Sequence, residues 1–198
     1  VTFPIPSRYD TKLAAMEPNE HNLTAMVQAG KRAAQFKKGE SVCARGDDGV
    51  ERWGTAADKV PEKGLLLSGA VGTGKSSIMG ALARSVSDAG FSVAWVRWAQ
   101  LCLLAAEKTP DAREKRGVLG SAAALFVDEL GQTEPLPHVA GFVLDIIEAR
   151  YGERLPLFAT TNATEEELAR CAGAALVSRL LEMTEPIVVG GPDRRRPT

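Results

Sequence analysis

One run of eight residues constrains this chain more than any other feature. Gly69-Ala70-Val71-Gly72-Thr73-Gly74-Lys75-Ser76 matches the pattern G-x-x-x-x-G-K-[ST]. The short apolar run Leu65 to Ser68 precedes it, and Ile78, Leu82 and Val86 follow at four-residue spacing before Gly90. That order predicts a strand, a glycine-rich loop and a helix, the layout in which such a loop cradles phosphate. Glycines turn backbone N–H groups inward around the anion in conformations that a Cβ would obstruct. The helix opening at Ser76 and Ser77 adds its positive dipole end. Lys75 is placed to reach β- and γ-phosphates, and the Ser76 hydroxyl to bind Mg2+.

A strand that leads into a phosphate loop needs parallel neighbours, and the sequence supplies them. Apolar runs recur at Ser92 to Trp98, Ala123 to Val127, Leu155 to Thr160 and Ile187 to Val189, separated by helical patterns. One such helix carries Val139, Val143, Ile146 and Ile147 and stops at Gly152; another opens on the Thr164/Glu167 capping box and ends at Gly173. Alternation of this kind predicts an α/β fold with a five-stranded parallel sheet covered on both faces. Upstream, Leu23, Met26, Val27, Gly30, Ala33 and Ala34 predict an amphipathic helix within Glu20 to Lys38, stopped by Gly39. The expected organisation is a helical lead-in over 1–39, an exposed connection over 40–63 and the core over 64–198.

Two strand ends carry further chemistry. Phe126-Val127-Asp128-Glu129 places an acidic pair where ligands of open α/β sheets bind. Asp128 suits a carboxylate that holds Mg2+, and Glu129, facing differently, suits one that polarises an attacking water. The strand ending at Thr160 runs into Thr161-Asn162, and the Asn162 amide is placed to hold the water or the γ-phosphate; its alternative role is turn formation.

Global properties exclude several classes. Of 198 residues, 44% are hydrophobic and 25% charged, which argues against disorder, and a net charge of -1 gives no overall basic face for nucleic acid. Cys43, Cys102 and Cys171 are odd in number and lack metal-ligand spacing, so three free thiols in a reducing cytoplasm are expected. No apolar run approaches the length of a membrane span, and no signal-peptide pattern is present at the N-terminus.

The ordered set of motifs resembles AAA+ ATPases of the bacterial helicase-loader group, DnaC type, which includes the IstB-type helpers of transposases. The resemblance runs from Ile5-Pro6-Ser7-Arg8-Tyr9 through Lys63-Gly64-Leu65-Leu66-Leu67, the loop, and Val127-Asp128-Glu129-Leu130-Gly131. It continues through Ala149-Arg150-Tyr151, Leu155-Pro156, Thr160-Thr161-Asn162 and Val177-Ser178-Arg179-Leu180-Leu181-Glu182-Met183. It implies ATP hydrolysis with Mg2+, no separate lid domain, and a strand order of fifth, first, fourth, third, second. It implies that Asn162 is the sensor residue and that subunits assemble head to tail, with Arg179 as the finger completing a neighbour's site. The other role open to Arg179 is a helix-surface salt bridge. Gly191-Pro192-Asp193-Arg194-Arg195 resembles the closing motif that brings an arginine to nucleotide; Arg195 is the choice, with Arg194 open.

For partners, the resemblance implies a replicative helicase and single-stranded DNA, the latter touched by an extra helix within Ala99 to Ser121. Lys108, Arg113, Lys115 and Arg116 in that segment suit a phosphate track, offset by Asp111 and Glu114. Trp98 just before it reads as core. Two other functions stay open: a transposase helper acting on duplex DNA, and an assembly protein with little turnover. Ala70-Val71 departs from the family's commoner Pro-Pro at positions that contribute backbone only.

Overall fold

A computed structural model of the chain describes residues 3–9, 13–16, 18–45, 51–55, 58–135 and 137–193. Its centre is a five-stranded parallel sheet of β3 (Gly64–Ser68), β4 (Val93–Arg97), β5 (Ala124–Leu130), β6 (Leu157–Thr161) and β7 (Thr184–Val188), in the order β4-β5-β6-β3-β7. This is the order implied by the resemblance. β3, β5 and β6 are buried almost throughout because helices cover both faces.

Alternate residues of each strand serve two separate cores, as a period of two demands. Leu65, Leu67, Trp95, Phe126 and Phe158 face α1 (Leu23–Gln35) and α2 (Lys75–Asp88). Across these strands the rings of Trp95, Phe126 and Phe158 stack, with centroids 5.8 and 4.7 Å apart. Leu66, Val96, Leu125, Val127 and Ala159 face the other layer. That layer holds α3 (Trp98–Ala106), α4 (Pro110–Ser121), α5 (Pro137–Gly152), α6 (Glu165–Ala172) and α7 (Ala174–Met183). The described residues form a three-layer α/β/α sandwich.

Arg150 ties the second layer together. It is wholly buried and donates to the carbonyls of Leu119, Gly120, Ala122 and Pro156 at 2.8–3.2 Å, joining the end of α4 to the start of β6. Burial lowers its pKa to about 9.

Several expectations shift. α1 ends at Gln35 rather than at Gly39, because Phe36 leaves in an extended conformation and packs its ring 5.2 Å from Phe91. Its buried stripe is Ala25, Met26 and Ala29, whereas Leu23 and Val27 are exposed: the small side chains let α1 approach α2 closely. Within 40–63, β1 (Ser41–Arg45) and β2 (Glu51–Thr55) pair antiparallel; residues 46–50 and 56–57 of that stretch lie outside the described residues. Ala99 to Ser121 holds the larger part of two helices, separated at Thr109, whose hydroxyl caps α4 by accepting from Ala112 N–H at 3.1 Å. Trp98 is core, with Nε1 donating to Thr133 O at 2.6 Å. Cys102 and Cys171 are free thiols. Among the described residues no helix is long and apolar enough to cross a membrane.

Candidate functional site

The loop from Gly69 to Gly74 joins β3 to α2 and opens onto a cavity of about 540 Å³. Val71, Gly72, Gly74, Lys75, Ser76 and Ser77 line one side, and Glu129, Gln132, Thr160, Thr161 and Asn162 the other. Gly72 has φ 81°, and a Cβ there would collide with Asp193. α2 has Gly74 at its N-cap, with no side-chain cap and no acidic residue in its first turn, leaving its N-terminal N–H groups for an anion.

Lys75 is nearly buried and its Nζ donates to the carbonyls of Gly69 and Ala70, at 2.7 and 2.6 Å, so its charge stays inside the loop. Thr73 is also buried and braces the loop, its hydroxyl donating to Ala70 O at 3.0 Å.

Asp128 is 1% exposed and collects three hydroxyls. Ser76 Oγ donates to Oδ1 at 2.7 Å, Thr160 Oγ1 to the same oxygen at 2.6 Å, and Tyr9 OH to Oδ2 at 3.4 Å. Ser76 and Asp128 therefore meet across 52 residues of chain. The donor set is hard oxygen, the kind Mg2+ takes. Among the described residues no cluster of three or more His, Cys, Asp or Glu could hold a metal. Mg2+ is commonly held by one or two protein groups together with substrate phosphates, so the pair fits it.

Glu129 is set apart from Asp128 by its backbone as well as by its partners. Its φ is 61°, a left-handed conformation that costs a non-glycine residue about 1–3 kcal/mol. The ladder between β5 and β6 slips here: Val127 pairs with Ala159 but Leu130 with Thr161, so β5 carries one extra residue. This bulge re-aims Glu129, which lines the cavity while Asp128 turns to Ser76. Asn162 stands exposed at the cavity's edge.

Arg179 is not brought to this cavity. On α7 its Nε donates to Glu148 at 2.7 Å and its Nη1 to Glu182 at 3.0 Å, with the guanidinium 4.6 Å from the Tyr151 ring centroid. Arg194 and Arg195 lie outside the described residues.

Roles for Thr160 and Tyr9 were not legible beforehand. Thr160 carried one signal: a hydroxyl in a buried strand needs a partner. Tyr9 was visible only as the end of the Ile5-Pro6-Ser7-Arg8-Tyr9 motif, since its approach to Asp128 depends on the fold of the N-terminal segment. Its ring lies 5.3 Å from Trp95, and it passes so close to α2 that a Cβ at Gly80 would collide with it. Burial, and then the Asp128 charge, raise the Tyr9 pKa.

Comparison with known proteins agrees with this architecture. A family model described as IstB-like ATP binding protein matches residues 59–196. The crystal structure of DnaI superposes with a TM-score of 0.73 at 22% identity, covering 96% of this chain and 94% of that one. The crystal structure of the DnaC helicase loader gives 0.71 at 20% identity, covering 93% and 100%. AMPPCP-bound DnaA from Aquifex aeolicus gives 0.71 at 16% identity, with 93% of this chain matching 51% of that one. At these identities the structures show a shared fold. No curated protein matches the chain.

Proposed function

The chain belongs to the family of IstB-like ATP binding proteins, and from that premise we propose that it hydrolyses ATP and acts as a helicase loader in DNA replication. The observation that carries hydrolysis beyond binding is Glu129, held at φ 61° by a bulge and lining the same cavity as Lys75. A strained backbone that delivers a carboxylate to a phosphate cradle is the arrangement expected of a group that works on water.

The roles follow from position. Backbone N–H groups of the loop and the start of α2 hold the phosphates, and Lys75 reaches the β- and γ-phosphates. Ser76 and Asp128 would hold Mg2+, which when bound neutralises charge on the phosphate oxygens. Glu129 takes the proton of the water that attacks the γ-phosphorus, while Asn162 orients that water or the γ-phosphate; ADP leaves. Arg179 lies off its own chain's cavity in helix-surface ion pairs, the other role open to it, and its part as a finger in a neighbouring subunit's site, with the ATP-dependent oligomer this requires, is proposed on the motif. Arg195 is assigned to nucleotide on the motif alone.

The loader reading draws on structural likeness to DnaI and the DnaC helicase loader, and on the exposed Lys108 and Arg113 as contacts for single-stranded DNA. The IstB-like description also fits a second reading, a transposase helper acting on duplex DNA. Measuring ATP turnover alone, with single-stranded DNA and with duplex separates the two. The loader reading predicts a rate altered by single strands and copurification with a hexameric helicase; a response to duplex alone would contradict it.

A further inference from the structure

Thr160, the last residue but one of β6, is almost wholly buried, and its side-chain oxygen makes two bonds. Oγ1 donates to Asp128 Oδ1 at 2.6 Å and accepts the backbone N–H of Glu129 at 3.0 Å. A hydroxyl has a single hydrogen, so its donor is committed to the carboxylate and a lone pair to the amide. Two consecutive residues of β5 are thereby fixed by one atom of β6, where the ladder slips by one residue. In the bulge the Thr160 hydroxyl serves the Glu129 N–H in place of a ladder carbonyl. That bond holds the residue whose φ of 61° would otherwise relax.

We propose that Thr160 is a positioning residue that sets Asp128 and Glu129 relative to each other. Its hydroxyl aims the Asp128 carboxylate at Ser76 and keeps Glu129 in the left-handed turn that brings it to the cavity. The inference rests on the roles given above to Asp128 and Glu129, and Thr160 acts through both of them. Removing the hydroxyl frees one carboxylate oxygen from a donor and leaves the Glu129 amide without its acceptor. The Mg2+ half and the water half of the site then loosen together.

The test compares Thr160→Val, which keeps the β-branched shape but loses donor and acceptor, with Thr160→Ser, which keeps both. A fluorescent ADP analogue is bound in EDTA and then titrated with Mg2+, ATP turnover is measured in parallel, and thermal melting reports folding. Thr160→Val should bind nucleotide in EDTA as the parent does. It should need about 10–100-fold more Mg2+ and lose about 10–100-fold in kcat, the usual cost of removing a group that orients a metal ligand. Thr160→Ser should recover most of both. Parental Mg2+ dependence in Thr160→Val would overturn the proposal, as would a Thr160→Ser variant equally impaired, since packing rather than the hydroxyl would then matter. If Thr160→Val does not fold, Thr160→Ala removes the same hydroxyl and is read against the same outcomes. Should the parent hydrolyse no ATP, the reading of Glu129 fails on its own, while the Mg2+ titration still decides whether Thr160 holds Asp128.

Discussion

The phosphate site and the α3–α4 segment put charge to use in opposite ways. At the phosphate site Lys75, Asp128 and Thr160 are buried and bonded to one another or to the loop. In α3–α4, Lys108 and Arg113 are exposed, Lys115 pairs with Asp111 at 2.6 Å, and Arg116 caps α3 through the carbonyls of Leu104 and Glu107. Two of the four cations expected to form a track thus have local structural partners. A buried polar group left without a partner is costly, so the contacts in the first region depend on one another. Exposed charges are screened and act additively. Substitutions should therefore remove function in the first region and grade it in the second.

The largest effect is expected at Lys75. On the proposed roles, Lys75→Ala takes away the cation that reaches the phosphates while leaving the backbone donors. ATP affinity should fall by roughly 100-fold or more, about 3 kcal/mol, in equilibrium binding. Near-parental affinity would break the comparison at its stronger side.

Arg179 tests whether the site extends across subunits. Arginine fingers contribute about 10³–10⁵ in turnover, so Arg179→Ala should lose most activity while the monomer binds ATP normally. Mixing it with Lys75→Ala should restore part of the rate, since each chain supplies what the other lacks. No rescue at concentrations where the parent oligomerises would count against a shared site. Its contacts with Glu148 and Glu182 are exposed ion pairs, which are weak and exchangeable.

The smallest effect is expected in α3–α4. Lys108→Ala and Arg113→Ala should leave ATP affinity unchanged and each reduce the salt dependence of single-strand binding by about 0.7 in log–log slope. An unchanged slope would place DNA elsewhere.

What the sequence made legible follows the same division. The phosphate loop, the five strands and the cap at Thr164 were readable because each needs particular residues at fixed spacing, and Asp128 and Glu129 because they end a strand beside that loop. The shift of the α1 stripe was not, since Leu23 and Val27 have the spacing of a core face and only packing against α2 selects Ala25 and Ala29 instead. Nor were the ribbon of β1 and β2, whose pairing is mutual rather than local, or the hold of Tyr9 on Asp128, which spans 119 residues of chain. Arg150 was visible only as part of a motif; its four carbonyl partners give that motif a structural reason.

On the proposed mechanism Glu129 works on water at a site that binds ATP without it. The direct measurement is the identity of the nucleotide that stays bound after parent and Glu129→Gln are each incubated with ATP and Mg2+, read by chromatography of the released nucleotide. The amide keeps the shape and loses the base, so Glu129→Gln should retain ATP where the parent retains ADP, with turnover lower by about 10²–10⁴. ADP formed by Glu129→Gln at the parental rate would contradict the account and assign the water to another residue.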